Sequence, residues 1–240
     1  MPLPSFVAVT KSLLEIDHCF VCLPNPVEAD ALAVRGLTCA GQPLRRTDQG
    51  TAAQILFFEN AYLELIWIED RQAAVRYGMQ TGIDFLARAQ QQASPFGIAL
   101  RQTPDAVDRP SDLLPSNATL NRSQTFLNFA ADNLASRVEP LCFIIPDAVS
   151  LLSLLDRTSL LHQQLIRHPA GMQRLTSTRI TIAAVASREP CSDSVNLLQR
   201  EGIAEVFYGK APLLELSFDH QRQGQTLDLS GLGLPLVLRY

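Results

Sequence analysis

Two side chains capable of ligand or acid–base chemistry stand in the middle of otherwise apolar runs. His18 sits in Ile16-Asp17-His18-Cys19-Phe20-Val21-Cys22, and Glu64 sits in Tyr62-Leu63-Glu64-Leu65-Ile66-Trp67. On an extended strand, alternation groups His18 with Phe20 and Cys22, and Glu64 with Tyr62, Ile66 and Ile68. A carboxylate among apolar neighbours is costly unless it is paired or bound to a metal. An imidazole plus a carboxylate suits a divalent ion with open positions (Zn, Fe, Mn, Ni or Mg). The plainer alternative is a core histidine with a satisfied hydrogen bond and a surface glutamate. Cys19 and Cys22 have CxxC spacing, but residues three apart fall on opposite faces of a strand, which argues against a redox or zinc pair. With Cys39, Cys142 and Cys191 they form an odd, scattered set that reads as buried thiols.

The elements that must position these residues are short β-branched and aromatic runs separated by turn residues. Residues 16–23 form a strand stopped by Pro24-Asn25-Pro26, and 27–35 a short helix that ends at Gly36. Residues 37–43 form a second strand, 45–51 a polar loop, and 53–58 with 62–68 a hairpin. The order is strand, helix, strand, strand, strand. Residues 70–92 follow as a helical connection. A second, degraded copy then has strands at 95–101, 118–129 and 139–145 and a helical stretch at 105–114. Residues 147–166 carry a leucine stripe expected to pack as a helix or covering loop, with His162 at its surface, and Arg167-His168-Pro169-Ala170-Gly171 makes a turn with an exposed imidazole. A third copy has a strand at 178–185, a helix at 193–200 and strands at 205–208, 213–218 and 226–229, the last extended by 236–240. A period of about 80 residues divides the chain into 12–92, 93–146, a connecting segment 147–172, and 173–240.

Composition narrows the function classes. The 240 residues are 47% hydrophobic and 18% charged, a globular balance that can bury a full core. A formal net charge of −4 without clustered Lys and Arg gives no nucleic-acid footprint. No apolar run approaches the roughly 20 residues that a bilayer requires, and Met1-Pro2-Leu3-Pro4 lacks the basic start of a signal peptide. The expectation is a soluble cytoplasmic protein with a small-molecule partner and no membrane.

Ile16-Asp17-His18 followed by Pro24-Asn25-Pro26, Gln49-Gly50-Thr51-Ala52 leading into Ile55-Leu56-Phe57-Phe58, and Tyr62-Leu63-Glu64-Leu65 together resemble the glyoxalase-like domain family of the vicinal-oxygen-chelate superfamily. The likeness is good over 16–70 and looser over 95–145. It implies an α+β fold in which repeated βαβββ units form open, strongly twisted mixed sheets around a cavity. It also implies a divalent metal held by His18 on a unit's first strand and Glu64 on its last, a second unit supplying further ligands, and a substrate bound through two neighbouring oxygens. The chain departs from that pattern: the matching strand of the second copy reads Phe96-Gly97-Ile98-Ala99 without a histidine, and that of the third reads Thr178-Arg179-Ile180.

The resulting expectation is a metal-dependent lyase, isomerase or dioxygenase acting on a small oxygenated substrate. Asp228 or His168 would be the base, Arg101 and Arg179 would pair with a substrate carboxylate or phosphate, and Gln54, Phe57 and Trp67 would line the pocket. The alternative is a non-catalytic protein that sequesters a small molecule in the same cavity. Three units cannot all pair within one chain, so a homodimer is a further expectation.

Overall fold

The computed structural model describes residues 12–103, 128–129, 131–183 and 191–240. The fold is α+β, with two mixed sheets and short helices. In the first half β1 (Leu14–Leu23), α1 (Ala29–Ala33), β2 (Leu44–Arg46), β3 (Thr51–Phe57) and β4 (Tyr62–Ile68) precede α2 (Arg71–Thr81) and α3 (Phe85–Ala89). Then come β5 (Phe96–Gln102), β6 (Asn128–Phe129), α4 (Ala131–Ala135) and β7 (Leu141–Ile144). The leucine-rich segment holds a 3-10 turn at Leu151–Leu154 and α5 (Leu160–Leu165). The rest is β8 (Leu175–Ala183), α6 (Asp193–Arg200), β9 (Glu205–Gly209), β10 (Leu213–Phe218), β11 (Thr226–Asp228) and β12 (Leu236–Arg239).

The seven-stranded sheet has the order β2-β3-β4-β1-β5-β7-β6. In it β1 lies parallel to β4 and antiparallel to β5, while β5 lies parallel to β7. The first segment therefore runs strand, helix, strand, strand, strand, with its first and last strands side by side. Its second strand starts at Leu44 rather than Leu37, because Gly41 with φ +73° and Pro43, which lacks an N–H, cannot continue a ladder. The expected helix at 105–114 and most of the strand at 118–129 lie outside the described residues.

The third segment corrects the expected repeat. Its sheet has the order β11-β12-β10-β8-β9, with β8 parallel to the next strand, β9, and antiparallel to β10. A βαβββ unit would instead pair its first strand with its fourth. The stretch 236–240 is a strand of its own, because the turn at Gly233 (φ +73°) reverses the chain and lays β12 between β11 and β10.

The two sheets pack through one face of each. Cys19, Val21, Leu63, Leu65 and Ile98 meet Ile180, Ile182, Leu214, Leu216 and Phe218 in a core that includes Leu32 of α1 and Val195 of α6. The opposite face of the seven-stranded sheet carries Phe20, Cys22, Tyr62, Ile66 and Phe143, and is covered by Tyr77, Ile83 and Phe85 of the α2–α3 region and by Leu152. Phe20 lies flat on its neighbour only because that neighbour is Gly97, where a Cβ would stand 2.1 Å from the ring. Cys19 and Cys22 fall in the two separate cores, as strand alternation requires. The third segment is thus paired and packed within the chain, which removes the unpaired unit on which the expected homodimer rested.

Candidate functional site

The covered face of the seven-stranded sheet brings His18 and Glu64 together on adjacent parallel strands. His18 is level with Tyr62, and Glu64 is level with Phe20. Both are buried, at 7% and 3% exposure. Each already has a partner. His18 Nδ1 is 2.8 Å from Asp17 Oδ1, and its ring stacks on Tyr62 with centroids 4.4 Å apart. Glu64 Oε1 accepts a hydrogen bond from Arg46 Nη2 at 2.6 Å.

Asp17 is the residue that strand alternation misses. In a regular strand it would face away from His18, but the register of β1 against β5 slips between Ile16 and His18, leaving Asp17 as the extra residue of a bulge. Bulges re-aim side chains in this way. Asp17 is fully buried and accepts from the Ser150 hydroxyl as well as from His18, with Arg101 Nη1 3.8 Å away. A carboxylate facing Nδ1 fixes the proton on that nitrogen, which leaves Nε2 with a lone pair and no hydrogen-bond partner among the described residues.

The surroundings hold Tyr62 and Arg46 in defined protonation states. Burial, followed by the negative charges of Glu64 and Asp17, pushes the Tyr62 phenol well above its ordinary range, so it stays protonated beside the imidazole. Burial works against the Arg46 guanidinium, but Glu64 outweighs it and the cation is retained. Phe57 reaches the same face, 5.6 Å from Tyr62 between centroids. Phe143 meets the His18 ring edge-on at 5.7 Å.

This arrangement does not fit a divalent ion between His18 and Glu64. The carboxylate is already neutralised by Arg46, whose charge would repel a cation placed at the same oxygens. Among the described residues, no group of three or more His, Cys, Asp or Glu side chains is placed to hold a metal.

Several expected site residues lie elsewhere, and the packing of the third segment explains most of them. Asp228 is exposed on the edge strand β11, where its carboxylate accepts from Ser230 N at 2.8 Å and is held below the usual carboxylate range by that turn. Arg179 points outward from β8, paired with Glu205 at 2.9 Å and lying over the Phe207 ring at 5.0 Å. Both belong to the sheet packed against the reverse face, so neither reaches His18. His168 is not exposed and is no base: its Nδ1 accepts from Thr38 N at 3.0 Å and its Nε2 donates to Phe57 O at 2.9 Å. Gln54 is level with Leu65, and Trp67 falls on that same reverse face, away from His18. Arg101 is close to the site but acts on Asp17 and on Glu15, at 2.9 Å, rather than on an open pocket.

No family model matches the chain, and no curated protein matches it. Among solved structures it is similar to the crystal structure of a hypothetical protein from Staphylococcus aureus, at 11% identity over 95% of this chain and 98% of that one, with a TM-score of 0.49. Among the described residues, no helix is long and apolar enough to cross a membrane.

Proposed function

We propose that the covered face of the seven-stranded sheet is an acid–base site for a small oxygenated molecule, with His18 as general base. The observation that carries this reading is the pairing of His18 Nδ1 with the buried Asp17 carboxylate, which leaves Nε2 as a lone pair on a ring that touches Tyr62 and Phe143. A proton taken from a substrate C–H beside a carbonyl, or from an O–H, passes to Nε2, and the imidazolium that forms is stabilised by Asp17. The protonated Tyr62 phenol is a donor for the oxygen on which charge develops. Charges on this face come as matched pairs, Glu64 with Arg46 and Asp17 with Arg101, so the site suits a neutral or dipolar substrate better than a highly charged one.

The same reading extends to the architecture: the first two segments are glyoxalase-like βαβββ units. Support comes from the strand order β2-β3-β4-β1 and its partial mirror β5-β7-β6, in which first and last strands run parallel. A second function is favoured by a specific observation, the ring cluster of Phe20, Phe57, Tyr62 and Phe143 around the imidazole, which suits sequestration of a planar apolar molecule without turnover.

The test uses an α-oxo acid, a catechol and a thiol adduct of an α-oxo aldehyde as probes, followed by NMR in D2O. The account expects binding together with deuterium exchange or product formation, and loss of the chemistry in His18→Gln. Binding without exchange supports sequestration. Chemistry that is unchanged in His18→Gln rejects the acid–base reading.

A further inference from the structure

Arg88 is almost completely buried, at 4% exposure, yet among the described residues no carboxylate lies within ion-pair distance of it. Its Nη1 donates to the backbone carbonyls of Ser94 at 2.7 Å and Glu139 at 3.4 Å. Its Nε and Nη2 have no hydrogen-bond partner among the described residues. Desolvation of this guanidinium is only partly offset, by the charge of Asp84 beyond ion-pair distance. Burial accordingly holds its pKa below the ordinary arginine value.

This arginine lines a surface groove of about 460 Å³ between α2, α3 and α4. The groove lies outside the His18 face, since none of its lining residues belongs to β1 or β4. Val75, Met79, Leu86 and Leu134 give it an apolar stretch beside its polar lining, and Met79 is 82% exposed. Two further charges stand at the groove, Arg137 and Asp84, 3.9 Å apart, and Asp84 also caps α3 by accepting from Ala87 N at 2.8 Å. Two guanidinium groups against one carboxylate leave a single positive charge.

We propose that this groove binds a small amphiphilic carboxylate, the anionic head taken by the free edge of Arg88 and the apolar body lying along α2 and α4. A planar carboxylate matches the two-donor edge of a guanidinium. The single excess charge and the nearby Asp84 select a monoanion over a phosphate dianion. The volume falls within the range of small-ligand sites, about 300–1,000 Å³.

Calorimetric titration of the whole chain with octanoate, and with octanol as an uncharged probe of equal length, tests this. Octanoate is expected to bind at least about tenfold more tightly than octanol, a difference of about 1.4 kcal/mol. Arg88→Gln is expected to remove that preference. Because Arg88 also holds two carbonyls, a second variant, Ala93→Trp, fills the groove without touching those bonds and is expected to abolish octanoate binding. Equal affinity for the two probes, no binding at millimolar octanoate, or binding that survives Ala93→Trp overturns the proposal.

Discussion

The Asp17–His18 pair and the joint built on Asn133 are both polar clusters sealed in apolar surroundings, yet they are completed differently. In the joint, Asn133 Nδ2 donates to Pro140 O at 3.0 Å and lies 3.3 Å from both Glu139 Oε2 and Ser192 Oγ, while its Oδ1 accepts from Cys142 N at 2.7 Å. The Glu139 carboxylate takes Ser192 N at 2.7 Å, tying the second segment to the start of α6. These groups are used up in holding two segments together. On the covered face of the seven-stranded sheet both carboxylates are paired, Asp17 with His18 and Ser150 and Glu64 with Arg46, while His18 Nε2 has no hydrogen-bond partner among the described residues. A polar atom that the fold leaves without a protein partner is open to a ligand, whereas the atoms of the joint are not.

The contrast is sharpened first by Arg46→Met. Stranding the buried Glu64 should cost about 3–5 kcal/mol in urea unfolding, and Glu64→Gln in the same chain should recover most of the loss. Asn133→Leu strands several groups of the joint and should cost about 2–4 kcal/mol, with ligand binding at the His18 face unchanged. His18→Gln should show the reverse pattern, a stability change within about 1 kcal/mol and loss of chemistry. If Asn133→Leu removed binding while His18→Gln removed stability, the comparison would be broken.

The smallest effect concerns the other buried imidazole. His168 is held neutral because burial disfavours its cation and Nδ1 is occupied by the Thr38 N–H, so its native value lies below the ordinary 6.5. Between the two values the unfolded chain binds a proton that the native chain does not. Its contribution to stability is therefore complete above pH 6.5 and declines as pH falls from there towards the native value. His168→Gln should flatten that part of the stability profile measured between about pH 7.5 and 5.

Much of the first half was legible in the sequence, since alternation and turn residues place β1, β3, β4 and β5 within a few residues of their observed bounds. The shared face of His18, Tyr62, Phe57 and Glu64 follows from that alternation and the pairing of β1 with β4. Asp17 was hidden by the same rule, because a bulge is set by strand pairing and leaves no local signal. Arg46 read as part of a polar loop, and only the β2–β3 pairing turns it towards Glu64. Asp228 and Arg179 were misplaced because a helix followed by strands has the same linear pattern whether the first strand pairs with the second or with the fourth. That choice depends on long-range packing.

The central claim is that Asp17 holds His18 with its proton on Nδ1 and an open Nε2. Long-range 15N–1H correlation of the histidine rings, with His18→Gln used to assign the signals, reads that tautomer directly. The account predicts a protonated Nδ1 and an unprotonated Nε2 for His18, perturbed by Asp17→Asn. A proton on Nε2 in the neutral ring, or a His18 signal indifferent to Asp17→Asn, would contradict it.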